Sequence, residues 1–208
     1  MDKLSKIIKI TLILSVSVFL VFLIGRIIFS DYYPKSMSRI YYTDELAGYY
    51  RERGTISPKT QNIREPYDDE HAGNFIASNL IFEPDAKNLQ VCIKYNDSAL
   101  KNIAAFYSLD AIEGRADLFT YKLSVYKGDD QPPVATYNTS YTAYDSVWFY
   151  NYDKQVFDGV DMTGATKIEV EIYLTGDDTA FGSIVVFENN ELHSAVSDYR
   201  LSSSERLK

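Results

Sequence analysis

Few residues of this sequence could carry out catalysis. The two histidines, His71 and His193, lie far apart in the chain, and neither belongs to a metal-binding motif such as H-E-x-x-H. Cys92 lies between Val91 and Ile93, and this apolar setting predicts a buried thiol rather than a nucleophile. The sequence has no nucleophile elbow, P-loop or dinucleotide fingerprint. We therefore expect no catalytic residue, no cofactor and no enzyme activity. The alternative is a glycan-acting hydrolase, because any acidic domain can supply a pair of carboxylates.

Carboxylates cluster at four places in the sequence. A calcium site needs six or more converging oxygens, and none of the clusters has the spacing of an EF-hand loop. Short runs of aspartate are typical of solvated turns. The sequence therefore predicts turns rather than a metal site at Asp68-Asp69-Glu70-His71, Asp129-Asp130, Asp158 with Asp161, and Asp177-Asp178.

Aromatic residues are the most unusual feature of the composition, which includes 18 tyrosines. Flat rings stack on sugars and anchor protein interfaces, so a dense group of them is a candidate binding surface. The alternative is that the rings simply pack across neighbouring strands. The candidate ligand-binding residues are Tyr137, Tyr141, Tyr144, Trp148, Tyr150 and Tyr152.

An apolar run over residues 7–29 predicts one membrane-spanning helix. No charged residue lies between Lys9 and Arg26, and both of these can extend their charged ends to the membrane interfaces. A buried core helix is an alternative, but such helices usually keep a polar face. A cleaved signal peptide is the other alternative, and the run lacks the small-residue cleavage site that one needs. We therefore expect an uncleaved signal anchor that contacts the membrane through residues 7–29.

The charges of the chain suggest its orientation and its partners. Lys3, Lys6 and Lys9 precede the apolar run, which favours a cytoplasmic N-terminal tail over residues 1–6 and a C-terminal domain outside the membrane. The chain has a net charge of −8, and residues 1–30 contribute +3, so residues 31–208 carry −11. Such an acidic domain is a poor nucleic-acid binder. We expect no nucleic-acid partner.

The rest of the chain divides into three parts. Residues 30–73 are polar, with Pro34, Pro58 and Pro66 and few aliphatic residues. This composition predicts a juxtamembrane spacer, with a short helix over 43–53 that begins at Thr43 and stops at Gly54. Residues 74–190 contain the strand-like runs and form the predicted folded domain. Residues 191–208 are a polar tail, in which residues 199–201 are a candidate edge strand.

Strand patterns dominate residues 74–190. The clearest is 167–174, where Ile168, Val170, Ile172 and Leu174 alternate with polar residues. A short helix capped by Ser98 is the one helical element expected in this region. The predicted strands are residues 75–82, 89–95, 118–126, 134–141, 146–152, 167–174 and 182–188. Several short strands with turn signals between them predict a mainly β fold, an antiparallel β-sandwich or jelly roll.

Residues 157–173 resemble part of a known family. Asp161-Met162-Thr163-Gly164 forms an Asp-hydrophobic-Thr-Gly turn that leads into the strand ending at Tyr173. This turn and strand resemble those of carbohydrate-binding modules with a galactose-binding-like jelly roll. The resemblance implies an architecture and no ligand residues.

Together these features predict a single-pass, membrane-anchored protein with an extracytoplasmic β-sandwich. We expect the sandwich to act as a binding or interaction module, whose partner is another envelope protein or a cell-surface glycan. The alternatives are a glycan-acting hydrolase or an accessory subunit of a membrane complex.

Overall fold

The chain is described by a computed structural model, which covers residues 3–30, 32–54, 58–61, 75–128, 132–188 and 193–194. It is mainly β, with two antiparallel sheets and an apolar N-terminal helix. Two compact units are present, Met1–Pro34 and Lys35–Lys208.

The first unit contains helix α1, Lys3–Ser30. Its segment Lys6–Phe29 has a mean hydropathy of 2.8, and the large apolar side chains from Ile7 to Ile28 are exposed. At 1.5 Å per residue, 24 residues reach about 36 Å, more than the roughly 30 Å of a bilayer's hydrocarbon core. This helix is long and apolar enough to span a membrane.

Three short helices belong to the second unit: α2 (Lys35–Ser38), α3 (Asp44–Arg53) and α4 (Asp97–Phe106). Helix α3 has Thr43 as its N-cap, with the Leu46 N–H donating to the Thr43 hydroxyl at 3.3 Å, and Gly54 ends it in the left-handed region. The cap of α4 is Asn96, whose side chain accepts from the N–H groups of Ser98 and Ala99. Ser98 as the cap of α4 was therefore a wrong prediction, because the preceding strand runs on to Asn96 and the helix starts directly after it.

The described residues form ten strands in two sheets. One sheet has six strands in the order β10-β1-β2-β3-β7-β6, and the other has four in the order β5-β4-β8-β9. All neighbouring strands are antiparallel. The strands are β1 (Lys59–Gln61), β2 (Ile76–Glu83), β3 (Asn88–Asn96), β4 (Phe119–Tyr126), β5 (Ala135–Asn138), β6 (Tyr141–Val147), β7 (Tyr150–Phe157), β8 (Lys167–Leu174), β9 (Ala180–Glu188) and β10 (His193–Ser194).

Both sheets contribute to one hydrophobic core. Leu89, Val91 and Ile93 of the six-stranded sheet are buried in the same cluster as Leu123 and Val170 of the four-stranded sheet. Alternation produces this arrangement, because every second residue of a strand points to the same face. The inward residues predicted for residues 167–174 are confirmed at Ile168, Val170 and Ile172, which are fully buried, while Leu174 is partly buried.

The outer face of the six-stranded sheet is covered by residues 35–43, which we call the cover segment. The side-chain amide of Gln90 accepts from the Tyr41 N–H at 2.8 Å and donates to the Tyr41 carbonyl at 2.6 Å. The Tyr41 ring stacks on Tyr141, with 3.6 Å between the ring centroids. Met37 and Leu46 are buried. Part of the region that the sequence suggests is a spacer therefore belongs to the same compact unit as the strands.

Two of the predicted strands differ from the structure. The run over residues 134–141 is divided, because β5 lies in the four-stranded sheet and Tyr141 begins β6 in the other. The run over residues 146–152 is interrupted by a hairpin turn at Trp148 and Phe149, so that its first two residues end β6 and its last three begin β7. The candidate edge strand over residues 199–201 lies outside the described residues.

Candidate functional site

The β6–β7 hairpin carries most of the aromatic residues that the sequence singles out. Val147 pairs with Tyr150, so the loop consists of Trp148 and Phe149. Trp148 has a φ of 57°, in the left-handed region that glycine favours, and its side chain is 59% exposed. A large side chain is thus held in an unfavourable backbone conformation without contributing much to the core.

The predicted aromatic residues on β6 and β7 point to different faces of the sheet. Tyr141 lies on the outer face against Tyr41, whereas Tyr144 points inward and donates its hydroxyl to Asn151 Oδ1 at 2.7 Å. Tyr150 and Tyr152 lie on the outer face. Adjacent positions along a strand face opposite sides, so these tyrosines cannot form one platform.

Three of the predicted residues are engaged within the fold. Tyr152 is fully buried, and Tyr150 is half-buried beneath the Lys94 ammonium, which lies 3.9 Å from the centroid of its ring. Tyr137 belongs to the other sheet, where its hydroxyl accepts from the Asp161 N–H at 3.2 Å. Trp148 is the candidate residue that the fold leaves most accessible to a partner.

A groove of about 670 Å³ lies beside the inner face of this hairpin. Helix α4 forms one wall, and the loop over residues 109–114 forms the other. Tyr144, Ser146 and Asn151 complete the lining. The loop approaches the sheet so closely that a Cβ added to Gly114 would lie 2.6 Å from Asn151 Oδ1. Glycine at position 114 therefore permits the contact that shapes the groove.

Both charged and apolar side chains line the groove. Asp97, Asp110 and Glu113 supply carboxylates, and Lys101 supplies an ammonium. The apolar members include Leu100, Leu109 and Ile112. A groove of this kind can bind an uncharged polar or a cationic group over an apolar surface. The sequence pattern does not reveal it, because the two walls come from elements that form no common motif.

A buried carboxylic acid lies between the two sheets. Asp153 is 3% exposed, and its Oδ2 accepts a hydrogen bond of 2.5 Å from the Tyr121 hydroxyl of β4. Burial raises the pKa of Asp153 from 3.8 to about 7, against the lowering effect of the Tyr121 and Tyr95 hydroxyls. The Tyr95 hydroxyl is close to this carboxyl but lacks the geometry of a regular hydrogen bond. A carboxyl that titrates near neutral pH suits a general acid, but Asp153 does not line the groove, so we assign it to the fold.

A buried ammonium lies on the opposite face of the same strand. Lys154 is 2% exposed, and its Nζ donates to the main-chain carbonyls of Met37 and Arg39 in the cover segment. Burial lowers the pKa of Lys154 to about 8. The sequence analysis missed both Asp153 and Lys154. The sequence does contain one signal for these two buried charges: they are adjacent, opposite in sign, and lie in a run bounded by Tyr152 and Val156.

Three of the candidate turn carboxylates, Asp158, Asp161 and Asp177, accept hydrogen bonds from main-chain or side-chain donors. Asp158 Oδ1 accepts from Asn88 Nδ2 at 2.7 Å and from the Thr43 hydroxyl at 3.2 Å. Asp161 Oδ1 accepts from the Thr163 N–H at 3.0 Å, as in an Asx turn. Within the described residues no group of three or more metal-ligating side chains converges. Asp68–Glu70, His71 and Asp129–Asp130 lie outside those residues.

Cys92 is buried in β3 on the outer face, opposite Lys154 of β7. Burial raises the pKa of its thiol, and the nearby Lys154 and Lys94 lower it by less. The thiolate, which is the reactive form, is therefore disfavoured at neutral pH. Cys92 is a small buried hydrophobic residue in this fold.

Comparisons with known proteins give no relative for this chain. No protein-family model matches the sequence, and neither a curated protein nor a solved structure matches it. A functional proposal therefore rests on the residues and geometry of the chain itself.

Proposed function

We propose that the chain is a single-pass membrane protein whose β-rich domain lies outside the membrane and acts as a binding module. Helix α1 supports the anchor, because Lys6–Phe29 is long and apolar enough to cross a bilayer. The lysines before the apolar run favour a cytoplasmic N-terminus. The jelly-roll connectivity implied by the family resemblance remains part of this proposal.

The observation that carries the binding role is Trp148. A residue other than glycine in the left-handed region costs on the order of 1 kcal/mol. The exposed indole gains little core packing to offset that cost. An exposed tryptophan at a hairpin tip is well suited to anchor a protein or to stack on a sugar ring. We place the partner contact at this tip and propose an envelope protein or a cell-surface glycan as the partner.

The binding role can be tested through the fluorescence of Trp148, the only tryptophan in the chain. The full chain in detergent micelles is applied to a glycan array, and each glycan that it retains is titrated against the indole emission. We expect a ligand to shift the emission and Trp148→Gly to abolish retention. Val134→Ala is the matched control, because Val134 is similarly exposed, at 54%, but lies next to β5 of the other sheet. A silent array would remove the glycan hypothesis.

A protein partner is tested by crosslinking in the native membrane followed by purification in mild detergent. If Trp148 forms the contact, Trp148→Gly loses the crosslinked partner and Val134→Ala keeps it. Retention by both variants would move the contact away from the hairpin tip. Together with a silent array, such a result would contradict the proposed role of Trp148.

The orientation has its own test. Protease added to intact cells, or to vesicles with their outer surface exposed, should digest residues 35–208 if the domain lies outside. Protection from outside, together with digestion after the membrane is opened, would reverse the localisation. A cell-surface glycan would then be excluded as a ligand.

The groove favours a second candidate function, the hydrolysis of a glycan. Asp110 and Glu113 lie in one loop of the groove, and glycosidases use paired carboxylates as acid and nucleophile or base. Glu113→Gln keeps the shape of the side chain and removes its charge. If the groove is catalytic, this substitution abolishes release of reducing sugar from glycans that the array identifies. Equal release by the parent chain and the variant would exclude a catalytic Glu113.

A further inference from the structure

One edge of the six-stranded sheet is built differently from the other edges in the described residues. Strand β6 forms that edge with seven residues and pairs with β7 in an unbroken register. It contains no Lys, Arg or Pro. The other edges are short or irregular: β5 has four residues, β10 has two, and the pairing of β8 with β9 has two register shifts. Proteins usually protect exposed edges by such shortening, bulges or positive charges.

The open edge of β6 can be assigned to particular backbone groups. A two-residue hairpin loop is closed by a pair that exchanges backbone hydrogen bonds, which here is Val147 with Tyr150. Every second residue before Val147 therefore also points its N–H and C=O toward β7. Thr142, Tyr144 and Ser146 point theirs away from β7, toward the open edge. The Ser146 N–H already donates to the Asp145 carboxylate at 2.8 Å, but its carbonyl remains an acceptor.

We propose that two copies of the chain associate through β6, antiparallel and centred on Tyr144. In this register Tyr144 faces Tyr144 of the second copy, and Thr142 faces Ser146. All three outward-pointing residues then lie in positions that exchange backbone hydrogen bonds. The two six-stranded sheets become one continuous sheet across a twofold axis. This proposal is independent of any ligand at Trp148.

The side chains of β6 fit a second copy of the same strand. The central pair consists of two tyrosine rings, and each flanking pair consists of a threonine and a serine, whose hydroxyls can meet. Both kinds of pair are favourable across antiparallel strands. Asp145 faces Ala143 rather than another carboxylate, so the one charged residue of the strand does not meet its own copy. Tyr141 faces Val147 on the outer face. A twofold interface requires this self-complementarity.

The charge of the domain opposes association at long range, because residues 31–208 carry −11. Salt screens that repulsion beyond about 8 Å at physiological ionic strength. If α1 anchors both copies in one membrane, their effective concentration also rises. We therefore expect a dimer that is stronger in the membrane than in dilute solution.

A symmetric disulfide tests the proposed register. Residues that face each other in a hydrogen-bonded antiparallel pair have Cα atoms about 5.5 Å apart, within the range that a disulfide spans. Tyr144→Cys in the full chain, in its native membrane and with copper phenanthroline as oxidant, should give a disulfide-linked species of twice the 23.7 kDa chain mass. The matched control is Thr136→Cys on edge strand β5, which should remain monomeric. Cys92 is buried and should not react.

A second pair of variants tests the backbone contact. Thr142→Pro removes an N–H that points to the open edge, whereas Thr142→Val removes the hydroxyl bond to Gln155 and keeps that N–H. Light scattering of the full chain in detergent should show a dimer for the parent and for Thr142→Val, and a monomer for Thr142→Pro.

Three results would overturn the proposal. The first is equal crosslinking of Tyr144→Cys and the Thr136→Cys control. The second is crosslinking of Tyr144→Cys to a different protein instead of to itself. The third is a Thr142→Pro chain that remains a dimer. If Thr142→Pro does not fold, the two crosslinking results decide alone.

Discussion

The buried carboxyl of Asp153 predicts a specific dependence of stability on pH. Its folded-state pKa of about 7 lies above its unfolded value of 3.8, so the folded state binds the proton more tightly. The resulting stabilisation is complete below about pH 4 and is lost as the pH rises through 7. Each pH unit between these values removes about 1.4 kcal/mol, so the total loss is on the order of 4 kcal/mol.

Asp153→Asn isolates this effect. An asparagine keeps a side-chain oxygen that can accept the Tyr121 hydrogen bond, but it stays neutral at every pH. Urea unfolding of residues 35–208, monitored by circular dichroism from pH 4 to pH 8.5, gives the free energy of unfolding of both chains. We expect the parent-minus-variant difference to fall by about 4 kcal/mol over this range.

Two further variants sharpen the test. Tyr121→Phe removes a hydrogen bond that lowers the Asp153 pKa. In this variant the free energy of unfolding should therefore continue to fall at higher pH than in the parent. Asp161→Asn is the control, because Asp161 is exposed and its own hydrogen bonds to Thr163 lower its pKa. Its carboxyl therefore titrates at lower pH than the range measured, and the curve of this variant should follow the parent. A difference between the parent and Asp153→Asn that stays constant with pH would refute the burial of an ionisable Asp153.

Four other substitutions test packing and backbone geometry by thermal or urea unfolding. Gly114→Ala places a methyl group against Asn151 and should destabilise the domain by about 1–3 kcal/mol, whereas Gly48→Ala in α3 meets open space and should stabilise it by up to about 1 kcal/mol. Leu46→Ala should cost about 2–5 kcal/mol in one cooperative transition, and a loss below about 0.5 kcal/mol would mean that α3 does not belong to the cooperative unit. Trp148→Gly should raise stability by roughly 1 kcal/mol, and an unchanged or lower value would contradict the strain assigned to its backbone.

The sequence predicts best those strands whose two faces differ. In β4 the buried residues Phe119, Tyr121 and Leu123 alternate with the exposed Thr120 and Lys122, because one face meets the core and the other meets water. Alternation of this kind depends on burial alone and can be recognised without knowledge of the partner strands. The mainly β architecture with two antiparallel sheets could be predicted on this basis.

Strand β7 could not be predicted in the same way, because both of its faces are buried and both carry polar residues. Asp153 faces the Tyr121 hydroxyl, which lies 32 positions earlier in the sequence. Lys154 meets the carbonyls of Met37 and Arg39, more than 100 positions away. A buried polar group requires a hydrogen-bonding partner, but the sequence does not indicate which distant residue supplies it. The predicted strand over residues 146–152 therefore includes only the first three residues of β7.

The exposure of the aromatic residues at the candidate site also could not be predicted from the sequence. The sequence indicates that the group is dense, but the position of the β6–β7 turn decides which rings become accessible. Because the turn falls at Trp148 and Phe149, Trp148 is exposed at the tip while Tyr152 is drawn into the buried part of β7. A loop longer by one residue would shift the pairing by one residue and reverse the face of each residue on β7. The register of one hairpin thus selects the surface available for binding, and its turn places a tryptophan at a left-handed position where a glycine would be expected.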